Sequence, residues 1–280
     1  MTRRGQVSVL LLWAAVGIGC TPKGDIPRTL IVKPRVLAIK AEPPQAAPGE
    51  STTVTALIVG TGGETPAVSW ARCRRAPRPG DTINPDCFTE AGAAYLEPIG
   101  EGPTITTAMP AGVTADQLGE PDASGGVYLP LIAQVTVAGQ TLLASYRLRL
   151  SSGDDVNHNP ALTGVLVLNA NGDTSPLDPA NPLVVYSRDH LTLTAGLADG
   201  SAESYPAALG GGTATEMLLS SWFSSAGRFS QERTEATQPT TVLELDDLLP
   251  VPGTAIDLFV VTRDDRGGTE YVHQTLAFEQ

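Results

Sequence analysis

Cationic residues are scarce in this chain and unevenly placed. The 280 residues include 18 lysines and arginines against 30 aspartates and glutamates, which gives a formal net charge of −12 at pH 7. No lysine follows Lys40, and residues 151–280 carry 18 acidic residues but only five arginines. Because phosphate contacts need clustered cations, this composition argues against nucleic acid as a partner.

Long hydrophobic runs are also missing. The longest apolar stretch, Val7–Ile18, follows Arg3 and Arg4 and covers 12 residues. A membrane-spanning helix needs about 20 such residues, so this stretch is too short to span a bilayer. A positively charged start followed by a short apolar core is typical of a secretory signal peptide. We therefore expect residues 1–19 to be a signal peptide.

The residues that close this stretch, Gly17-Ile18-Gly19-Cys20, resemble a bacterial lipobox, although Gly17 stands where that motif favours leucine. The resemblance implies that Cys20 becomes the new N-terminus and carries a diacylglycerol and a further acyl chain such as palmitate. Residues 20–33 are then a lipidated tether at the cell envelope. Thr21 lacks the aspartate associated with inner-membrane retention, which favours the outer membrane, on its periplasmic or its surface face. The alternative is an ordinary cleaved signal with an incidental cysteine.

Cysteine is rare, with three residues in the whole chain. If Cys20 is acylated, Cys73 and Cys87 remain as a pair, and an exported protein is expected to oxidise such a pair. The disulfide would close a 15-residue loop, which the chain-entropy model credits with about 3 kcal/mol. Metal ligation is the rival interpretation, but two thiols without a CxxC motif or paired histidines do not complete a tetrahedral site.

Alternating apolar residues indicate β-strands throughout the mature chain. Residues 127–137 and 142–150 alternate strictly on either side of Gly139, which predicts a hairpin. Further strands are predicted at 36–40, 51–59, 67–72, 162–168, 191–197, 218–223, 240–245, 256–260 and 272–278. No stretch of 12 residues keeps a helical period with capping residues.

The two halves share an order of landmarks. Ser69-Trp70 and Ser221-Trp222 each follow a strand that contains Thr-Ala, and a hairpin closes each half. Short strands separated by turn signals predict an all-β fold with two consecutive antiparallel β-sandwiches. The predicted organisation is sandwich 1 over residues 34–152, a polar linker over 153–160 and sandwich 2 over 161–280.

Two segments resemble bacterial lipoproteins that carry tandem immunoglobulin-like domains. Residues 35–44 (RVLAIKAEPP), followed by Pro48-Gly49-Glu50, resemble the first strand of their first domain. Residues 263–268 (RDDRGG) resemble the last hairpin of the second domain. The resemblance implies immunoglobulin-like folds and an envelope location, in a family mostly without an assigned function and without implied catalytic residues.

Catalytic motifs are absent from the sequence. The three histidines, His158, His190 and His273, belong to no HExxH motif, and no serine lies in a GxSxG motif. The glycines at 210–212 precede no lysine, so they do not form a phosphate-binding loop. We therefore expect a protein that is not an enzyme. A hydrolase whose triad is scattered through the sequence is the remaining catalytic alternative.

Hard oxygen ligands cluster in the linker, where Asp154, Asp155, Asn157 and Asn159 lie within six residues. Calcium binds six to eight such oxygens, so these residues are the candidate metal site, with further ligands from Asp264 or Asp265. The alternative is a solvated hinge in which Asp and Asn side chains form turns. No other cofactor is expected.

Two other features allow a binding role. Four arginines between residues 72 and 78 could meet the charged groups of envelope glycans, or could balance nearby acids around the disulfide. Trp70 and Trp222 could be sugar platforms, but strand positions favour core packing. The sequence thus predicts a non-enzymatic, lipid-anchored envelope protein that binds a protein or polysaccharide partner. A structural spacer or accessory subunit of an envelope complex is the alternative.

Overall fold

The computed structural model describes residues 26–78, 81, 83–113, 118, 121–122, 124–150, 156–168, 172–207 and 211–279. The predicted signal peptide and Cys20 lie outside these ranges. The described residues form strands and two short 3₁₀ turns, at Pro85–Phe88 and Glu90–Tyr95, with no α-helix among them. The predicted all-β class is confirmed.

In the first half, the residues that the structure describes form eight strands in two sheets. One sheet has the order β1-β3-β6 and the other has the order β2-β8-β7-β4-β5. The strands are β1 (Arg35–Glu42), β2 (Gln45–Ala46), β3 (Ser51–Val59), β4 (Ala67–Cys73), β5 (Leu96–Glu101), β6 (Thr104–Ala108), β7 (Val127–Val137) and β8 (Gln140–Leu150). The predicted hairpin is β7–β8, which pairs from Val127↔Leu150 to Val137↔Gln140.

The described residues of the second half form twelve strands. Its two large sheets have the orders β10-β9-β12-β18-β16 and β11-β20-β19-β15-β17, and β13 pairs with β14 in a separate hairpin. The strands are β9 (Leu162–Leu168), β10 (Thr174–Pro176), β11 (Leu183–Val185), β12 (His190–Leu197), β13 (Ser204–Pro206), β14 (Thr213–Thr215), β15 (Leu219–Ser224), β16 (Arg228–Phe229), β17 (Arg233–Glu235), β18 (Thr240–Glu244), β19 (Ala255–Arg263) and β20 (Thr269–Phe278).

Both halves have the strand order of an immunoglobulin-like sandwich. In the usual lettering, β1, β3 and β6 are strands A, B and E, whereas β4, β5, β7 and β8 are strands C, C′, F and G. The short β2 pairs in parallel with the last strand, as an A′ strand does. The second half repeats this scheme, with β11 parallel to β20. The prediction of two consecutive immunoglobulin-like sandwiches is therefore confirmed.

Each sandwich is built around one tryptophan on its C strand. Trp70 is 1% exposed and its indole Nε1 donates a hydrogen bond to the carbonyl of Gly102 at 2.8 Å. Trp222 is 0% exposed and its Nε1 donates to the hydroxyl of Thr234 at 2.9 Å. Buried tryptophans need a partner for the N–H group, and both have one. The tryptophans are core residues, so neither is a sugar platform.

The predicted disulfide is confirmed. Cys73, at the end of β4, is bonded to Cys87 in the first 3₁₀ turn. Both cysteines are buried and pack with Ile83, Ile132 and Leu96 in a small apolar cluster of their own. The bond therefore fastens the loop of the first sandwich to its C strand instead of joining the two sheets.

A β-bulge in β1 separates two apolar side chains that strict alternation would place on one face. The pairing of β1 with β3 shifts between Val36 and Ala38, so Leu37 has no partner in the ladder. Ile39 lies in the core of the first sandwich, whereas Leu37 lies in a different cluster that also contains residues of β19. Bulges redirect side chains in this way.

Candidate functional site at the junction of the two sandwiches

Apolar side chains from both sandwiches form one shared cluster, which we call the junction cluster. The first half supplies Ile31, Leu37, Ala38 and Val59, and the second half supplies Phe259 and Val261. Val261 is 0% exposed, and each of the other five is less than a tenth exposed. Burial of such side chains stabilises the contact by about 25 cal/mol per Å² of apolar surface. The sandwiches are therefore packed against each other.

The turn between β19 and β20 contacts the last hairpin of the first sandwich. The hydroxyl of Tyr146, on β8, donates to the carbonyl of Gly267 at 2.8 Å. The hydroxyl of Tyr128, on β7, contacts the carbonyl of Arg266 at 3.1 Å and the carboxylate of Asp122. Burial is the main cause that raises the pKa of both tyrosines well above the usual value, so both hydroxyls stay protonated and able to donate.

The outer edge of β1 is covered by side chains from the second half. Arg263 Nη2 donates to the carbonyl of Leu37 at 2.7 Å, and Asn159 Nδ2 donates to the carbonyl of Ala41 at 2.8 Å. Lys40 Nζ forms an ion pair with Glu270 at 2.6 Å. These contacts occupy carbonyls that would otherwise be free at a sheet edge. They also fix the direction in which β1 runs across the second sandwich.

Part of the expected tether is paired with the second sandwich. Leu30 forms a parallel β-bridge with Ser224, at the end of β15, and the amide of Ile31 donates to the carbonyl of Ser224 at 2.8 Å. The amide of Ser224 donates in turn to the carbonyl of Thr29 at 3.1 Å. Leu30 and Ile31 are buried. The chain thus contacts its C-terminal half before it enters the first sandwich.

A buried ion pair lies beside the turn that holds Arg266. The Arg266 side chain is 1% exposed, its Nη1 is 3.2 Å from Glu216 Oε1, and its guanidinium lies 4.8 Å above the ring of Tyr205. Burial raises the pKa of Glu216 to about 7, opposed by the Arg266 charge and by a hydrogen bond from the backbone of Glu203. Breaking such a pair by removing one partner leaves an uncompensated buried group and is costly.

The structure describes two of the four linker residues that were predicted to bind calcium. Asp154 and Asp155 lie outside the described residues. Asn159 is a structural bridge, because its Oδ1 accepts the amide of Thr269 at 2.8 Å while its Nδ2 donates to Ala41. Asn157 is 0% exposed, and neither of its side-chain polar atoms has a hydrogen-bond partner within the described chain. A fully buried Asn157 is inconsistent with the alternative that this part of the linker is a solvated hinge.

Asp264, which the sequence suggested as a further ligand, lies close to the linker. Its Oδ1 accepts the amides of Arg266 and Gly268 at 2.9 and 2.7 Å, whereas its Oδ2 is buried and unpartnered among the described residues. A Cβ placed on Gly268 would meet both Asp264 Oδ2 and the carbonyl of His158. However, no three His, Cys, Asp or Glu side chains in the described ranges are grouped to hold a metal ion. Calcium binding stays a prediction.

Three of the four arginines around the disulfide have carboxylate partners. Arg72 pairs with Glu97 at 2.6 Å, and Arg75 and Arg78 both pair with Asp86 at 2.7 Å. Arg74 donates to the carbonyl of Ala94 at 3.2 Å. The interpretation that the arginines balance nearby acids is therefore confirmed for Arg72, Arg75 and Arg78.

Each histidine contacts a carboxylate and none contacts a nucleophile in the part of the chain described. His190 is 3.0 Å from Asp246 and His273 is 2.8 Å from Asp257, while His158 contacts Glu203. His273 also stacks on Phe259 of the junction cluster, with ring centroids 4.3 Å apart. A triad needs a base that reaches a hydroxyl or thiol, and these histidines do not provide one.

The sheet edges are short or covered. Seven of the ten outer strands in the described sheets have two or three residues, namely β2, β10, β11, β13, β14, β16 and β17. The edge strand β5 contains Pro98, and β1 is covered as described above. Such features prevent edge-to-edge pairing with other chains. Only β6, a five-residue edge rich in threonine, lacks these features among the described strands.

Comparison with known proteins gives no family. No protein-family model and no curated protein matches the chain. The chain is similar to the three N-terminal domains of the bacteriophage RB49 highly immunogenic outer capsid protein, with 11% identity and a TM-score of 0.21, over 86% of this chain and 58% of that one.

Two further solved structures are similar at the same level. The N-terminal immunoglobulin module of the Drosophila receptor protein tyrosine phosphatase DLAR has 11% identity and a TM-score of 0.26, over 89% of this chain and 100% of that one. Domains 1–4 of Drosophila N-cadherin have 9% identity and a TM-score of 0.22, over 87% and 50%. The fold assignment therefore depends on the strand order of the two sandwiches. Within the described ranges, no helix has the length and hydrophobicity that crossing a membrane requires.

Proposed function

We propose that this protein is a non-enzymatic, lipid-anchored protein of the bacterial envelope that binds a protein or polysaccharide partner with two immunoglobulin-like domains held as one unit. The observation that carries the proposal is the junction cluster, in which buried side chains from both sandwiches pack together. Contacts between domains of one chain are often polar and permit relative motion. An apolar junction with hydrogen bonds on both sides favours a fixed arrangement instead.

A fixed arrangement suits recognition by a surface that extends over both sandwiches. A partner that contacts both sandwiches then binds without the entropic cost of ordering two mobile domains. The short and covered edges make strand addition an unsuitable mode of binding. We therefore expect a partner to be recognised by side chains on the faces and loops.

The lipid anchor is proposed from the residues around Cys20. Residues 21–28 separate Cys20 from Thr29, where pairing with the second sandwich begins. Eight residues span at most about 29 Å when fully extended, since each residue adds up to about 3.6 Å. The junction is thus the part of the described chain closest to the anchor. We propose the outer membrane as the location.

A structural spacer, or an accessory subunit of an envelope complex, is the second candidate function. The blunted sheet edges support it, because a spacer must avoid pairing with its neighbours. The two functions differ in one testable respect. A partner-binding protein has a stoichiometric ligand, whereas a spacer is exchangeable for another rigid module of the same length.

Cross-linking in intact cells tests the proposed function. A partner-binding protein gives one discrete cross-linked species, and surface substitutions on one face of the tandem domains abolish it. Failure of every such substitution, together with full function of a length-matched replacement, would favour the spacer. The anchor is tested separately by fractionating a Cys20→Ser variant. If that variant still fractionates with membranes, lipidation of Cys20 is not what holds the protein there.

A further inference from the structure

An arginine-lined cleft lies where the N-terminal segment crosses the second sandwich. Its volume is about 510 Å³, and it is lined by Arg28, Thr29, Arg35, Ser221, Phe223, Glu232 and Arg233. We call it the arginine cleft. It is separate from the buried network around Arg266 and from the arginines of the disulfide loop.

The positive charge of the arginine cleft is not neutralised within the described chain. Arg28, Arg35 and Arg233 form no ion pair with any described carboxylate, and Glu232 is the single acid among the lining residues. Five other arginines do have carboxylate partners among the described residues, namely Arg72, Arg75, Arg78, Arg228 and Arg266. The arginine cleft instead groups three arginines without such a partner, in a chain whose net charge is −12. Such a group favours an anionic ligand.

One of these arginines is held in place by the fold. The Arg35 guanidinium lies 5.4 Å from the centre of the Phe223 ring and donates to the carbonyl of Arg28. Burial lowers the pKa of Arg35, which means that water no longer solvates its charge fully. A guanidinium fixed over a ring keeps its donors oriented, so less entropy is lost when it binds phosphate.

A second hollow continues from the arginine cleft along the N-terminal segment. Its volume is about 500 Å³, Arg28 and Arg35 line it as well, and it adds Lys33 together with Ile26 and Val32. Ile26 is 62% exposed and Val32 is 60% exposed. Cations beside exposed apolar side chains match the chemistry of an anionic membrane surface, where headgroup phosphates lie above acyl chains.

We propose that the arginine cleft binds phosphate groups and that these are the headgroup phosphates of the membrane that holds the protein. The position of the cleft supports this source, because Arg28 lies eight residues after Cys20. The choice of lipid headgroups depends on the proposed anchor, whereas the preference for phosphate depends on the arginines alone. Contact with the membrane at the cleft would hold the tandem domains in one orientation relative to that membrane.

Vesicle binding by the unlipidated chain tests the proposal without relying on the anchor. The chain used is residues 20–280 with Cys20→Ser, which includes every described strand. It is mixed with vesicles of phosphatidylglycerol and phosphatidylcholine, and in parallel with vesicles of phosphatidylcholine alone. We expect sedimentation with the anionic vesicles only, weakened by added salt because the attraction is electrostatic.

Two exposed arginines provide the variants. Arg28→Gln and Arg233→Gln each remove one cation, worth about 1 kcal/mol near an anionic surface, so the double variant should bind about 25-fold more weakly. Arg188→Gln removes one charge, as Arg28→Gln or Arg233→Gln alone does, but Arg188 lines neither hollow, so this control should bind like the parent chain while each single variant binds more weakly. Circular dichroism of the variants checks that the fold is intact.

Equal sedimentation of the parent chain and the double variant would overturn the proposal. Calorimetric titration with inorganic phosphate separates the two sources of phosphate. Binding of free phosphate without binding to vesicles would overturn the assignment to lipid headgroups. The fractionation of Cys20→Ser stays a separate test of the anchor when the membranes are washed with high salt, because salt releases electrostatic contact through the cleft but not an inserted acyl chain.

Discussion

Replacing Leu37 with alanine should uncouple the two sandwiches without unfolding either one. Leu37 is 6% exposed, and the bulge in β1 places it in the junction cluster and not in the core of its own sandwich. The substitution removes three carbons, at about 0.8 kcal/mol each, and leaves a cavity, so the expected loss is about 3 kcal/mol. That loss lowers the equilibrium constant for docking of one sandwich on the other by roughly 100-fold, since 1.4 kcal/mol corresponds to a factor of ten.

The two tryptophans allow each sandwich to be followed separately. Beyond residue 20 the chain contains Trp70, in the first sandwich, and Trp222, in the second. Labelling with 5-fluorotryptophan therefore gives one fluorine NMR signal for each sandwich. In the parent chain both signals should change in a single transition with denaturant, whereas in Leu37→Ala they should separate into two transitions.

Ile39→Ala is the matched control. Ile39 lies two residues further along the same strand, is 5% exposed and packs in the core of the first sandwich. Its replacement should lower the free energy of unfolding by a similar amount while the two signals still move together. The reasoning is refuted if the signals of Leu37→Ala coincide and its loss of stability stays below about 1 kcal/mol.

Three further predictions concern the disulfide, pH and calcium. Replacing Cys73 and Cys87 together with alanine should lower the free energy of unfolding by about 3 kcal/mol, because the unfolded chain regains the loop-closure entropy of 15 residues, and a denaturation midpoint that does not move would contradict this prediction. The pKa of Glu216 rises from 4.5 to about 7 in the folded chain, so the folded state binds the extra proton. The stability from this group is therefore full below about pH 4.5 and is lost as pH rises through about 7. Glu216→Gln should remove this slope from a series of melting curves, and an unchanged slope would contradict the assignment, with the exposed Glu235→Gln as control. For calcium, calorimetric titration should give a heat of binding that Asn157→Ala abolishes, and no heat at millimolar calcium would exclude the site.

The longer strands were predictable because their side chains alternate. β7 and β8 follow from runs of alternating apolar residues, β3 follows from its β-branched residues, and the two tryptophans mark the C strands of both sandwiches. The disulfide followed from counting cysteines. The fold class and its repetition are thus local properties of the sequence.

The edge strands were not predictable in the same way. β10, β11, β16 and β17 have two or three residues each, which is too short for a periodic pattern. They exist because a longer neighbour in the sheet provides hydrogen-bond partners. The 3₁₀ turn at Pro85–Phe88 was also missed, although Asn84 caps it by accepting the amide of Asp86 and a proline begins it.

The junction could not be predicted from sequence at all. Leu37 and Ile39 look equivalent in an alternating strand, and only the bulge separates them into different clusters. The contacts of residues 29–31 with Ser224 join positions nearly 200 residues apart. The residues before β1 were expected to form a tether because they follow the lipobox-like Cys20, and a local motif of that kind carries no information about their pairing with the second sandwich.

The most direct test of the account is a measurement of domain orientation. Residual dipolar couplings of backbone amides report the alignment of each sandwich in a weakly ordered solution. If the junction cluster and the contacts of Tyr146, Asn159 and Arg263 hold the sandwiches as one body, one alignment tensor fits the couplings of both. Two tensors of different magnitude would mean that the sandwiches move independently, and would contradict the central claim.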